Sequence, residues 1–437
     1  MLKVWPRHPD LLALHASQPD RYPALFATGG QDGWHILFAF PDSIRRFDAS
    51  GVAEAAASLP PINLSVDDEA DIPFQGGWLI NLSYELGGIL EPRIGQTVDD
   101  QAFPLLWLAR IPAAILQRGG QTWLMAESGR GELIDGLSAD LARLGKGSSA
   151  GSFMAPAHIV EEPEQRFLDG LKRIQQYIGE GDVFQVNLSR VWQVEYAEPI
   201  VAPALYGSLM RCNPAPFSAL LDMGDWKIVS ASPERLVRVE KGGRVFTRPI
   251  AGTHPRSTSS EIDNELRQAL ATHPKERAEH VMLVDLERND LGRICLPGTV
   301  RVDALMELAS YPHLHHIEST VSGQLSPGVW VWDVIRALFP GGTITGCPKV
   351  RTMEIIHEIE RQPRRAYTGS LGYINHDGSL DLNILIRSFL FKGRELDFRT
   401  GAGIVADSNP EAELEETRTK ATGLLRTLNN DFSPMIN

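Results

Sequence analysis

Carboxylates at helical spacing are the first candidates for chemistry in this 437-residue sequence. The stretch PKERAEHVMLVDLERNDLG, from Pro274 to Gly292, predicts a helix, since Pro274 suits a first turn. Glu279, Leu283 and Leu286 share one of its faces at i, i+4 and i+7, so a carboxylate lies on the stripe expected to turn inward. Such a glutamate is either a partly exposed residue at the edge of the helix or a metal ligand.

A second helix is predicted near the C-terminus, after the sequence ADSNP. Ser408 or Asn409 can cap it, and the proline that follows fits its first turn. Glu413, Glu416 and Lys420 then lie along one face at i, i+3 and i+7. An exposed ladder of salt bridges explains this pattern, and so does a magnesium site, because Mg²⁺ usually takes one or two protein carboxylates and keeps several waters.

Glycine-rich and strand-end segments offer further chemistry. The segments FPGGTITGCPK (339 to 349) and RTGAGIV (399 to 405) could present backbone amides to an anion, although glycines more often make turns. The first of them lacks the glycine spacing of a phosphate-binding loop. Glu234 in SASPERL could act as a general acid if burial keeps it protonated, whereas alone it would more often be a surface residue. TRPIAGT ends in Thr253.

The elements that must position these residues divide at GKGSSAGSFMAP, residues 145–156, a small and polar stretch predicted to be a linker or exposed loop. Residues 1–144 alternate β-like runs such as WHILFAF, GGWLINLSYEL and LLWLARIPAAIL with turns, and end in a helix, GELIDGLSADLARL. Residues 157–437 predict one large mixed α/β domain, which opens with a helix from Phe167 to Ile178 and the strand VFQVNLSRV. Further strands are predicted at FSALLDM, WKIVSAS, RLVRVE, GRVFTRPI, TVSGQL, LGYIN, LNILIRSFLF and ELDFRTGAG.

The composition argues against several classes of protein. Acidic residues outnumber basic ones by 55 to 42, which gives a net charge of −13. That charge would repel nucleic acid and anionic membranes at long range, so neither is an expected partner. No stretch approaches the length of a membrane span. The cysteines, Cys212, Cys295 and Cys347, are odd in number and lack metal-ligand spacing, so we expect reduced thiols and a cytoplasmic location.

Together these segments resemble the chorismate-utilising enzymes, a family that includes anthranilate, aminodeoxychorismate, isochorismate and salicylate synthases. The motifs SPER, RPIAGT, ERAEHVMLVDLERNDLG, PGGTITGCPKVRTMEII, YTGSLGY and GAGIVADSNPEAELEET occur in the family's order and span nearly all of residues 183 to 425. The resemblance implies an α/β (α+β) fold like that of anthranilate synthase, a sandwich of two large antiparallel β-sheets flanked by helices, with the N-terminal region completing it.

The resemblance also implies roles for individual residues. Glu279 and Glu416 look like the ligands of a Mg²⁺ cofactor, and Lys420 looks like the cation that faces a carboxylate of chorismate. Glu234 looks like the general acid that protonates the leaving C4 hydroxyl, and His316 in HHIEST matches the histidine near that hydroxyl. The remaining matches are Thr253 and Gln185 among the catalytic residues, and Tyr367, Arg387, Gly401, Gly403 and Thr345 among those that bind the substrate.

Gln185 bears on which nucleophile attacks the ring. Family members that add water carry a lysine at this strand position as a general base, within a KVVL-like motif, whereas this sequence reads QVNL. Ammonia is a stronger nucleophile than water and needs no such base. The resemblance therefore implies amination of chorismate rather than hydration.

The position of amination rests on opposing signals. The TITG loop, the SPER sequence and the missing LLES-type motif favour the aminodeoxychorismate synthases of 4-aminobenzoate and folate biosynthesis. Ala251 favours the alternative, the anthranilate synthases of tryptophan biosynthesis, because PIAGT is their usual form and some aminodeoxychorismate synthases carry a nucleophilic lysine there. We expect C4 amination with ammonia adding directly and no covalent lysine intermediate.

A separate glutamine amidotransferase subunit is expected to supply the ammonia, because none of the three cysteines lies in the Gly-Cys-Gly-like turn of those enzymes. The remaining alternative is a chorismate-binding regulatory protein without activity. Such a protein would have lost a metal carboxylate or the general acid, whereas Glu234, Glu279 and Glu416 are all present.

Overall fold

A computed structural model describes residues 1–28, 33–65, 72–144, 151, 153–257, 259–310 and 314–430. Within these residues the chain forms the following strands: β1 (Leu2–Trp5), β2 (Ala24–Thr28), β3 (His35–Ala39), β4 (Ser43–Phe47), β5 (Gly77–Leu82), β6 (Leu106–Ile111), β7 (Ala113–Arg118), β8 (Gln121–Ala126), β9 (His158–Glu161), β10 (Gln185–Glu195), β11 (Phe217–Asp222), β12 (Lys227–Ser232), β13 (Arg235–Val239), β14 (Arg244–Arg248), β15 (Ile250–Pro255), β16 (Arg301–Ser310), β17 (Leu314–Gln324), β18 (Gly346–Cys347), β19 (Ser370–Asn375), β20 (Leu380–Asn383), β21 (Ser388–Lys392) and β22 (Glu395–Ile404). The helices of the same residues are α1 (Leu11–Ser17), α2 (Val52–Ala57), α3 (Leu86–Leu90), α4 (Gly131–Arg143), α5 (Glu164–Gly179), α6 (Ala202–Cys212), α7 (Ser260–Thr272), α8 (Pro274–Gly292), α9 (Val331–Leu338), α10 (Lys349–Glu360) and α11 (Pro410–Leu428).

The strands of the described ranges form two antiparallel sheets. The first sheet has the order β1-β8-β7-β3-β2-β11-β12-β21-β22-β10-β18, with β9 paired to β10. The second has the order β15-β17-β14-β13-β20-β19-β5-β6-β4, with β16 paired to β17. Strands from residues 1–144 thus lie in both sheets beside strands from the second part of the chain.

Four apolar clusters of the described residues hold the sandwich together, one of them formed by α5 and α10 with strands β10 and β22. Phe38 of the first sheet and Trp107 of the second are fully buried in a core shared by the two sheets. Helices α1, α4, α6 and α11 cover the outer face of the first sheet, and α2, α8 and α9 cover that of the second. This arrangement confirms the predicted α/β sandwich of two large antiparallel sheets flanked by helices.

Local sequence signals located several elements well. Helix α8 spans Pro274–Gly292, the range predicted from its sequence. Helix α11 begins at Pro410, and the side chain of Asn409 caps it by accepting a hydrogen bond from the amide of Ala412 at 2.9 Å. Helix α5 ends at Gly179, as its glycines predict.

Two apolar runs are each divided between the sheets, and LNILIRSFLF was wrongly predicted as a single strand. LNILIRSFLF is divided into β20 in the second sheet and β21 in the first, and Arg387 between them has a φ of +51°. LLWLARIPAAIL is divided in the same way into β6 and β7, on either side of Pro112, which has no backbone N–H to continue a ladder. Both runs cross from one sheet to the other. Residues on both sides of each break are apolar, so the pattern of the sequence does not indicate where the strand ends.

A two-stranded ribbon crosses between the sheets at the first of these points, the break at Arg387. The chain passes from β12 to β13 through Pro233 and Glu234, and from β20 to β21 through residues 384–387. The amide of Ile384 donates to the carbonyl of Glu234, and the amide of Ala231 donates to that of Arg387, both at 3.1 Å. The two crossings are therefore held to one another by backbone hydrogen bonds.

Three further predictions concern the linker at residues 145–156, the cysteines and membrane-spanning helices. Most of the linker predicted at 145–156, namely 145–150 and 152, lies outside the described residues, so the division there stays a prediction. Cys212, Cys295 and Cys347 form no disulfide. No helix of the described residues has both the length and the apolar character needed to cross a bilayer.

Candidate active site

Glu279 of α8 contacts Gln185, the first residue of β10, beside the glycine-rich segment of β22. The side-chain amide of Gln185 donates to Glu279 Oε1 at 2.6 Å. A methyl group added at Gly403 would lie 2.2 Å from Gln185 Nε2 and 3.3 Å from Glu279 Oε1, so both side chains lie against this glycine. Burial raises the pKa of Glu279, and the nearby carboxylates of Glu276 and Glu416 raise it further.

Helix α11 brings Glu416 and Lys420 to the same strand. Lys420 Nζ lies 2.7 Å from Glu416 Oε1 and donates to the carbonyl of Gly401 at 3.0 Å. Both side chains are partly exposed, at 41% for Lys420 and 47% for Glu416. The salt bridge predicted as the simpler explanation is therefore present. It lies beside Glu279, whose pKa Lys420 lowers.

Tyr367 and Asn187 converge on Gly401, two residues before Gly403 on the same strand. A methyl group added at Gly401 would lie 2.7 Å from Asn187 Oδ1 and 2.8 Å from the Tyr367 hydroxyl. The oxygens Asn187 Oδ1 and Gln185 Oε1 are buried and accept no hydrogen bond from the described residues. Strand β10 thus presents two unused acceptors next to the glycines.

Glu234 lies at the crossing from β12 to β13 and is only 5% exposed. Burial raises the pKa of its carboxyl to about 8; the side chain of Thr343 opposes this shift and the negative charge of Glu287 adds to it. The group therefore carries a proton at neutral pH, which an exposed glutamate does not. This is the protonation state that a general acid needs.

His316 and Arg387 are electrostatically linked to Glu234. Burial lowers the pKa of His316 to about 4, and the positive charge of Arg387 lowers it further, so the imidazole is neutral. Its Nδ1 lies 3.4 Å from the carbonyl of Gly252. Burial lowers the pKa of the Arg387 guanidinium, and the Glu234 carboxylate opposes that shift.

Of the two threonines predicted for the site, the structure describes the side chain of Thr345 but not that of Thr253. The Thr345 hydroxyl is fully buried and donates to the carbonyl of Gly341 at 2.8 Å, so it stabilises the glycine turn from within. Its contact with a substrate stays a prediction. Thr253 lies opposite His316 in the pairing of β15 with β17, and its side chain lies outside the described part of the chain.

The backbone near Gly252 connects the two groups of residues. A methyl group added at Gly252 would lie 2.5 Å from Glu276 Oε2, one helical turn before Glu279, while the Gly252 carbonyl faces His316. Gly252 therefore lies between His316 and helix α8, the helix that carries Glu279. A cavity of about 900 Å³ opens elsewhere, near β2 and α6, and none of the predicted site residues lines it.

The donor set around Glu279 fits Mg²⁺. Carboxylate oxygens are the ligands that this ion prefers, and the mutual repulsion of Glu279 and Glu416 would be relieved by a divalent cation between them. Within the described residues no group of three or more His, Cys, Asp and Glu side chains could hold a metal ion. That finding is compatible with Mg²⁺, which needs only one or two protein carboxylates.

Glu287 is the acidic group of this region that the sequence analysis missed. It lies on α8 at i+8 from Glu279, and burial raises its pKa to about 7. Extending the stripe of Glu279 and Leu283 by one more turn would have found it.

Comparisons with known proteins give a consistent picture. A family model described as chorismate binding enzyme matches residues 22–426. The aminodeoxychorismate synthase component 1 of Bacillus subtilis (strain 168) is 41% identical over 372 residues, covering 81% of this chain and 77% of that protein. An anthranilate synthase component 1 of Haloarcula marismortui is 37% identical over 427 residues, covering 92% and 86%. The crystal structure of anthranilate synthase component I from Streptococcus pneumoniae TIGR4 superposes with a TM-score of 0.80 at 28% identity, covering 90% of this chain and 92% of that one.

Proposed function

This chain belongs to the chorismate-binding enzyme family, and from that premise we propose that it aminates chorismate at C4, as the synthase component of an aminodeoxychorismate synthase. The observation that carries the proposal is the contact between Gln185 and Glu279. An amide has no basic nitrogen, and this one already donates its proton to a carboxylate at 2.6 Å. It cannot take a proton from water, so the site suits a nucleophile that needs no base.

Glu234 supplies the acid that the reaction requires. Hydroxide is a poor leaving group, and the buried Glu234 carboxyl gives it a proton so that it departs as water. Ammonia forms the new C–N bond at C4 as the C4–O bond breaks, the ring double bonds keep their places, and the resulting ammonium loses one proton. The neutral imidazole of His316 orients the hydroxyl, and Arg387 binds a substrate carboxylate.

Glu279 and Glu416 would hold Mg²⁺ in this scheme, with Lys420 beside them. The bound ion would neutralise the second carboxylate of chorismate and orient the ring. Gly401 and Gly403 leave room for that carboxylate against the backbone, because any larger residue would collide with Tyr367 or Gln185.

Amination at C2, which would give anthranilate, is the second candidate. It is supported by Ala251, which offers no amine for a covalent intermediate, and by relatives of both kinds at similar identity. We favour C4 because the TITG and SPER sequences resemble the aminodeoxychorismate synthases. A separate glutamine amidotransferase subunit would deliver the ammonia.

The products of one reaction separate these candidates. The purified chain is incubated with chorismate, Mg²⁺ and a high concentration of ammonium at mildly alkaline pH, with and without an aminodeoxychorismate lyase, and the products are identified by mass spectrometry. We expect 4-aminobenzoate that appears only with the lyase. Anthranilate formed without the lyase would establish the second candidate, and isochorismate would refute amination altogether.

Gly403→Ala should lower this turnover by about 10²-fold, because the new methyl group would displace Gln185 and break its contact with Glu279. The matched control is Gly179→Ala, whose added methyl group would contact nothing within 4 Å. Steady-state rates and thermal melting temperatures of both variants are compared. Equal rates for Gly403→Ala and the unchanged protein would remove the glycine from the site.

A further inference from the structure

Glu287 is a buried carboxylate that the reaction scheme does not use. It is 6% exposed, on the inward face of α8. No cation lies within ion-pairing distance of it in the described residues, although a buried carboxylate normally has such a partner. Its position near the general acid therefore needs an explanation other than a salt bridge.

The turn at Gly341, Gly342 and Thr343 joins Glu287 to Glu234. A methyl group added at Gly342 would lie 3.5 Å from Glu287 Oε1, and one at Gly341 would lie 2.8 Å from Ile384 Cδ1. The side chain of Thr343, next in the turn, lies beside the Glu234 carboxyl and lowers its pKa. The two carboxylates thus contact consecutive residues of one turn, Gly342 and Thr343.

Other charged groups facing Glu234 are already compensated or act in the opposite sense. Glu318 of β17 lies 2.9 Å from the guanidinium of Arg248 on β14, which offsets its charge. Arg387, on the crossing to β21, is positive and favours ionisation of Glu234. Glu287 is the facing carboxylate that lacks such an ion pair within the described ranges.

The groups around Glu287 do not neutralise the negative charge of its carboxylate. Asp290 lies one turn further along α8 and raises the pKa of Glu287, whereas Lys349 at the start of α10 lowers it. Lys349 donates a hydrogen bond to Asp290, so its charge is shared with that residue. The Thr247 side chain of β14 and the Gly342 backbone complete the contacts of Glu287.

We propose that Glu287 is a positioning residue that holds the proton on Glu234 through the negative charge of its buried carboxylate. The inference rests on the proposed function, in which Glu234 is the general acid. The charge of Glu287 would let the protein meet two opposed requirements of the proposed reaction. Free ammonia becomes abundant only at alkaline pH, while the acid must remain protonated there.

The sign of the effect follows from the repulsion between two like charges at one turn. Burial raises the pKa of Glu287 to about 7 and that of Glu234 to about 8. A negative charge on Glu287 beside the same turn opposes the loss of the proton from Glu234, because the second charge would be repelled by the first. Removing that charge should let Glu234 ionise at lower pH.

Glu287→Gln and Glu287→Met test the inference, with Glu287→Asp as the conservative variant. The pH profile of kcat/KM is measured for each with chorismate, Mg²⁺ and a fixed concentration of free ammonia. We expect the alkaline limb to move down by about one pH unit in the two uncharged variants and by less in Glu287→Asp. Having two uncharged variants keeps the test decisive if one of them does not fold.

Infrared titration of the resting protein gives a second reading that does not depend on turnover. The carboxylic acid band that disappears in Glu234→Gln is assigned to Glu234, and its midpoint should fall in Glu287→Gln by the same amount as the limb. An unchanged midpoint, or an equal shift in Glu287→Asp, would overturn the inference. If the unchanged protein forms no amine but the midpoint falls, the proposed function has failed and the coupling of the carboxylates has not.

Discussion

Replacing Glu234 with glutamine should lower the turnover of chorismate by about 10³-fold while chorismate still binds. Glutamine has nearly the same shape but cannot give a proton to the departing hydroxyl. The effect should appear in kcat, because the carboxyl acts on the leaving group rather than on the carboxylates that anchor the substrate. Steady-state kinetics together with calorimetric binding of chorismate measure the two quantities separately.

The unchanged protein provides the control for this result. Glu234 is active when protonated, so at a fixed concentration of free ammonia the rate of the unchanged protein should be level below pH 8 and fall tenfold per unit above it, as burial raises the pKa of this carboxyl to about 8. A Glu234→Gln variant that kept its full rate would show that another group donates the proton. A variant that no longer bound chorismate would place Glu234 among the anchoring residues instead.

Loss of either predicted magnesium ligand should lower turnover by about 10²-fold or more, since an ion of this kind stabilises charge by several kcal/mol. The variants are Glu279→Gln and Glu416→Gln, and their rates are measured across a series of Mg²⁺ concentrations. Each amide removes one negative charge and binds the ion more weakly. Excess Mg²⁺ should therefore restore part of the rate.

Glu415→Gln is the matched control, because Glu415 is adjacent to Glu416 on α11 but exposed, with Arg418 as its distant partner at 3.9 Å. Its magnesium dependence should equal that of the unchanged protein. Equal behaviour of Glu415→Gln and Glu416→Gln would show that the charge of α11 acts only at long range. Full activity of Glu279→Gln without added metal would remove the magnesium site.

Much of the helical structure follows from local rules in the sequence. The caps and prolines of α8 and α11 are short-range signals, and so are the glycines that end α5, which is why their limits agree with prediction. The points at which strands pass from one sheet to the other do not follow from such local rules. Both sides of the break at Arg387 are apolar, and periodicity cannot register a single residue with positive φ.

The site was less accessible from the sequence than the fold. Helical spacing left Glu279 and Glu416 with two readings each, and only the resemblance to a family assigned them to a metal. Partners from distant segments lay beyond any local pattern: Gln185 is 94 residues from Glu279. The coupling of Glu287 to Glu234 depends on a turn more than 50 residues further along the chain, and the internal hydrogen bond of Thr345 equally needs three-dimensional information.

The ribbon that crosses between the sheets has a consequence for how this protein can diverge. Glu234 and Arg387 are both carried on it, and main-chain hydrogen bonds set their relative position. These main-chain bonds do not depend on which apolar side chains surround them, so the core can exchange much of its composition without altering the distance between the backbones of Glu234 and Arg387. The spacing of these two backbones can therefore persist while the apolar layers that stabilise the fold change in sequence.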